Sequence, residues 1–164
     1  MRVTLIRHGN AEPGGSGVPD AKRALTPEGR EKTRDAALGL KQLGVSFDRV
    51  LSSPLARARE TAEIIVEVCD ARLTVEIEGF LTPDGYPDDG IRWLMREHPE
   101  SVAFVGHMPH VAALASALLS ENYFEIEFKK AAACCIAFDG TPAAGKGCLE
   151  YFLPPRALRA MTRD

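Results

Sequence analysis

Val3-Thr4-Leu5-Ile6-Arg7-His8-Gly9 decides the fold. The first four residues are apolar or β-branched and read as a buried strand. The run then stops on a cation, an imidazole and a glycine. The same arrangement returns twice. Phe47 to Ser52 reads as a second strand, and Ser53-Pro54-Leu55-Ala56-Arg57 follows it. Val102-Ala103-Phe104-Val105-Gly106 is an unbroken apolar run, as expected of a central strand covered on both faces, and His107 stands at its end.

Helical patterns fill the intervals. Thr26-Pro27-Glu28 has a capping hydroxyl, a proline at the first helical position and an acid in the first turn. Ala36, Ala37, Leu40 and Leu43 continue at helical spacing, and Gly44 fits a C-terminal cap. Ser53-Pro54 predicts another helix start, with Leu55, Ala58, Ala62 and Ile65 on one face as far as Cys69. Leu73 to Ile77 alternates like an edge strand. Gly79 to Gly90 reads as a loop, followed by a short helix through Ile91, Leu94 and Met95 that stops before Pro99. Pro109 opens a helix with Val111, Leu114, Ala115 and Leu118 on one side. Ala131 to Phe138 and Leu149 to Leu153 read as two last strands around a glycine-rich turn, and Pro13 to Pro19 as a surface loop. Strands alternating with helices predict an α/β chain, a three-layer α/β/α sandwich with a mainly parallel central sheet. Its 164 residues fit one domain spanning 1–164.

Composition narrows the function. Charged residues make up 26% and hydrophobic ones 45%, the balance of a globular chain rather than a disordered one. Twenty Lys and Arg against 23 Asp and Glu leave a net charge of -3, which argues against a nucleic-acid partner. No apolar run approaches the ~20 residues of a membrane span, and no signal peptide opens the chain, so a cytoplasmic protein is expected. The four cysteines, Cys69, Cys134, Cys135 and Cys148, include no C-x-x-C pair. Adjacent Cys134 and Cys135 should point to opposite faces of a strand as reduced packing residues.

Ligands of such sheets bind at the carboxyl ends of the strands, where Arg7-His8, Arg57 and His107 all fall. Two guanidinium forks, two imidazoles and two helix N-termini converging there would make an anion pocket suited to a phosphoryl group. One histidine can attack phosphorus while the other donates to its oxygens.

Leu5-Ile6-Arg7-His8-Gly9, Ser52 through Ala62 and Val105-Gly106-His107 together resemble the three ordered motifs of the histidine phosphatase (phosphoglycerate mutase-like) superfamily. Within it, Arg23-Ala24-Leu25-Thr26-Pro27-Glu28-Gly29, Leu81-Thr82-Pro83 and Lys129-Lys130-Ala131 resemble the SixA-type phosphohistidine phosphatases. The resemblance implies that His8 is the phosphorylated nucleophile and that Arg7, Arg57 and His107 clamp the phosphoryl oxygens. It also implies that Arg23 lies at the rim and that neither cofactor nor metal is required. Larger relatives carry a general acid after the third strand. The candidates here are Glu78, Asp84, Asp88 and Asp89, and Asp84 is the expected choice because Leu81-Thr82-Pro83 borders the pocket. A phosphoramidate needs less of an acid, since its imidazole can leave already protonated. The short candidate lid, Gly79 to Gly90, suits an open site and a phosphohistidine side chain on a protein. The alternatives are a small-molecule phosphomonoesterase or mutase acting on a phosphate ester, and a non-catalytic phosphate-binding protein.

Overall fold

The computed structural model describes residues 1–15 and 17–162. Six strands form one sheet: β1 (Arg2–Arg7), β2 (Arg49–Ser52), β3 (Val75–Ile77), β4 (Ser101–Gly106), β5 (Ala133–Ala137) and β6 (Cys148–Leu153). Their order across the sheet is β3-β2-β4-β1-β5-β6. The first four in that order run parallel; β5 runs antiparallel to β1, and β6 antiparallel to β5. The helices are α1 (Pro27–Gln42), α2 (Ala56–Cys69), α3 (Pro87–Glu97), α4 (His110–Leu119) and α5 (Pro155–Ala160).

Strand alternation divides the core in two. On β4, Val102 and Phe104 face a cluster with Trp93, Leu94, Val111 and Leu114 from α3 and α4. Ala103 and Val105 face a cluster with Ala36, Leu40, Ala62, Ile65 and Leu158 from α1, α2 and α5. The sheet therefore lies between two helical layers, as its continuous apolar strands require. No helix among the described residues is long and apolar enough to cross a membrane.

The start of α1 follows the sequence reading: Thr26 Oγ1 accepts the Gly29 N–H at 2.9 Å, and Gly44 beyond its end has φ 74°, a left-handed conformation suited to glycine. His98 closes α3 with φ 47°. Three expectations need correction. First, α2 begins at Ala56 rather than at Pro54, because Ser53 continues the exit of β2 and donates its N–H to Val105 O. Second, α3 already starts at Pro87, inside the stretch read as a loop; its first turn is acidic and proline-led, with few apolar residues to reveal a period. Third, α5 has no counterpart in the sequence reading. It is six residues long and rests its Leu158 carbonyl where a side chain at Gly39 would project, 2.3 Å from an ideal Cβ there. Cys134 and Cys135 are buried in β5, as expected of packing residues.

Candidate active site

Register brings the site together. Arg7 pairs with Gly106 and Ser52 with Val105, so β1, β4 and β2 release His8, His107 and Ser53 at one level. His8 N–H donates to Gly106 O at 2.9 Å, stitching the exit of β1 to that of β4. Gly9 N–H donates to Thr61 Oγ1 at 3.0 Å, and that hydroxyl donates to Arg57 O at 2.7 Å. The turn after β1 is thus fastened to the helix that supplies Arg57. A Cβ at position 9 would meet Thr33 Oγ1 at 2.2 Å, so α1 packs too closely for any residue but glycine.

Both histidines are buried, His8 at 7% and His107 at 2% exposure. Their ring centroids are 4.9 Å apart, tilted by 53°. His8 Nδ1–H donates to its neighbour's Gly9 carbonyl at 2.7 Å, which leaves the Nε2 lone pair free. Burial lowers the His8 pKa to about 4; the Gly9 bond opposes the shift, and Arg57, Arg7 and Lys130 add to it. His107 is held down to about 3, by burial first and then by His8 and Arg57. Both rings are therefore neutral at neutral pH. His107 Nε2 lies 2.9 Å from Ser53 Oγ.

Arg7 donates from Nη1 to Phe128 O at 2.6 Å. Arg57, 5% exposed, donates from Nη1 and Nη2 to the Asp20 carbonyl and carboxylate. The Nε–H groups of Arg7 and Arg57 are buried and meet no protein acceptor. Buried donors left unmade are costly, and two on guanidiniums that both act on the His8 ring suit an anion. Lys130 belongs to the same field: burial lowers its pKa, and then Arg7, Arg23 and Arg57 do.

The four principal residues expected from sequence, Arg7, His8, Arg57 and His107, thus come together. Arg23 reaches the rim through Asp20, which accepts from its Nε and Nη2, and through Glu12 O. Asp84 does not join them. It is exposed, and among the described residues it makes no hydrogen bond or ion pair with the cluster. The cause is a tight turn in which Gly85 N–H returns to Thr82 O; a Cβ on Gly85 would lie 1.9 Å from Phe80 O. Asp84 is a turn residue, a common place for aspartate. Sequence reading missed Asp20, although its i,i+3 spacing to Arg23 was a usable sign, and it missed the roles of Thr33 and Thr61, which are visible only in packing. Among the described residues no group of three His, Cys, Asp or Glu side chains is placed to hold a metal.

Comparison with known proteins shows the family. The histidine phosphatase superfamily (branch 1) matches residues 3–81. The phosphohistidine phosphatase SixA of Escherichia coli (strain K12) is 33% identical over 123 residues, which is 72% of this chain and 74% of that protein. The structure of the protein histidine phosphatase SixA complexed with tungstate superimposes with a TM-score of 0.84 at 29% identity, covering 96% of this chain and 99% of that one. A phosphoserine phosphatase from Entamoeba histolytica in complex with 3-phosphoglyceric acid superimposes with a TM-score of 0.64 at 19% identity, over 96% of this chain and 98% of the other, a likeness of fold alone. With its paired histidines and guanidiniums at the strand ends, this chain belongs to the histidine phosphatase superfamily, branch 1, beside the SixA proteins.

Proposed function

We propose that this chain, acting as one domain over residues 1–164, removes phosphate from phosphohistidine on a protein through a covalent phospho-His8 intermediate. One observation carries the reading: the Nδ1–H of His8 is committed to Gly9 O, near two guanidiniums whose charges act on its ring and whose buried Nε–H donors are unmet.

That bond fixes the tautomer. Nε2 attacks phosphorus, and the bond from phosphorus to the substrate nitrogen breaks, its electron pair returning to that nitrogen. A substrate ring protonated on its other nitrogen leaves as neutral imidazole, so no acid is needed at that step. In the second step a water oxygen attacks the phosphorus of phospho-His8. The pair returns to Nε2, and the proton of water passes to solvent or to the departing phosphate. Because Nδ1–H still donates to Gly9 O, His8 also leaves as a neutral ring. Arg7, Arg57 and His107 are assigned to the equatorial oxygens, where their hydrogen bonds strengthen as charge develops. No step is assigned to Asp84.

The test is to incubate the chain with phosphorus-labelled phosphohistidine protein and quench in base. An acid-labile, base-stable label on wild type and none on His8→Ala is expected. Label retained on His8→Ala would remove His8 from the mechanism. A kcat/KM at least tenfold higher for a sugar phosphate or phosphoglycerate would move the substrate to the small-molecule class.

A further inference from the structure

Asp20 sits on a single helical turn, Asp20–Lys22, between the 13–19 stretch and α1. Its side chain is 63% exposed, yet it reaches the buried Arg57. Arg57 Nη1 donates to the Asp20 carbonyl at 2.9 Å and Nη2 to Oδ2 at 3.1 Å. The other carboxylate oxygen, Oδ1, accepts from Arg23 Nε at 2.8 Å and Nη2 at 2.6 Å. Among the described residues no other acid pairs with Arg57 or Arg23. The carboxylate gives each guanidinium one anionic oxygen, Oδ2 to Arg57 and Oδ1 to Arg23, the kind of charged acceptor that a phosphoryl oxygen also is. The side chain is exposed, so its rotation withdraws Oδ2 and frees Arg57 Nη2 without disturbing the core, while Nη1 stays on the Asp20 backbone carbonyl.

We propose that Asp20 is a stand-in anion: between turnovers its carboxylate holds Arg57 and Arg23 in place at the phosphoryl site, and it yields Arg57 to the incoming phosphoryl oxygens. The inference rests on the reading of this site as a phosphoryl pocket. It has a sign that a purely structural role lacks. A brace improves phosphate binding, so its removal weakens binding. A resident anion competes with phosphate and repels it, so neutralising it strengthens binding.

Calorimetric titration of inorganic phosphate at neutral pH and low salt into wild type, Asp20→Asn, Asp20→Ala and Arg57→Ala tests this. Both Asp20 variants are expected to bind phosphate about fivefold tighter, the size of one screened charge–charge interaction near a surface. That gain should shrink as salt is raised, and KM for a small phosphoramidate should fall with it. Arg57→Ala should lose most of the binding. Phosphate affinity that is unchanged or weaker in Asp20→Asn, with its thermal melt intact, overturns the proposal. Should Asp20→Ala melt early, the isosteric Asp20→Asn alone decides. Wild type that binds phosphate and forms the phosphoenzyme, with no tightening in Asp20→Asn, defeats only the role given to Asp20. Wild type that binds no phosphate defeats the functional reading as well.

Discussion

Acidification is the sharpest perturbation of the proposed nucleophile. His8 titrates at about 4 rather than 6.5, chiefly because its ring is buried and secondarily because Arg57, Arg7 and Lys130 oppose a second positive charge. At pH 5.5 such a ring is about 97% neutral, whereas an unperturbed histidine would be about 9% neutral. Phosphoenzyme formation at that pH should therefore run about tenfold faster than an ordinary imidazole allows. The measurement is the single-turnover rate from pH 7.5 to 4.5, together with the nitrogen shifts of the His8 ring by NMR. Since burial is the leading cause, Arg57→Gln should recover less than half of the shift. The same depression bears on stability. The folded pKa lies below the unfolded one, so the His8 contribution is full above about pH 6.5 and is lost as pH falls toward 4, a change of about 3 kcal/mol. His107, lowered to about 3, acts in the same direction. Urea unfolding at pH 7 and pH 5 should show the loss. A His8 midpoint at or above 6 would refute the reasoning, because a ring so buried and so near two arginines could not titrate there.

Arg57→Ala should lower kcat/KM by about 30- to 1,000-fold, equivalent to about 2–4 kcal/mol for a lost charged donor, in steady-state assays with a small phosphoramidate. Gly39→Ala should destabilise the fold by about 1–3 kcal/mol, because its Cβ would meet the Leu158 carbonyl at 2.3 Å; a lower urea midpoint with the active-site residues untouched is the expected readout. Thr26→Ala should cost about 1 kcal/mol through the lost cap, and Thr26→Ser close to nothing, as read by thermal unfolding.

Much of this could be read without coordinates, and the reasons are physical. Apolar runs such as Val102–Gly106 have one economical place, the middle of a sheet between helices, and chemistry at their ends must then converge. Arg7, His8, Arg57 and His107 were legible for that reason. What stayed hidden depends on packing. The helix over Pro155–Ala160 is too short to show a period, and its docking depends on a bare Gly39. The start of α2 moved because Ser53 bonds across to β4 and lies against His107, contacts that no local pattern encodes. Asp84 was attractive by sequence proximity to the pocket edge, but the turn closed by Gly85 directs it to solvent. Asp20 lay in a segment without periodicity, and only its bonds to Arg57 and Arg23 reveal where it points.

The reversed direction of β5 has a consequence for how this scaffold can diversify. Because β5 runs against β1, its leading end rather than its trailing end reaches the site: Ala131, at φ 64°, shares its N–H between the Arg7 and His8 carbonyls at 3.0 and 3.3 Å, and Phe128 O receives Arg7. The connection over 138–147 leaves from the far rim, where Ala137 pairs with Arg2. Lengthening the chain before β5 would therefore remodel the pocket wall and the range of substrates admitted, whereas lengthening it after β5 would leave turnover alone. The approach to β5 and the connection beyond it lie at opposite rims of the sheet, so each can drift without the other.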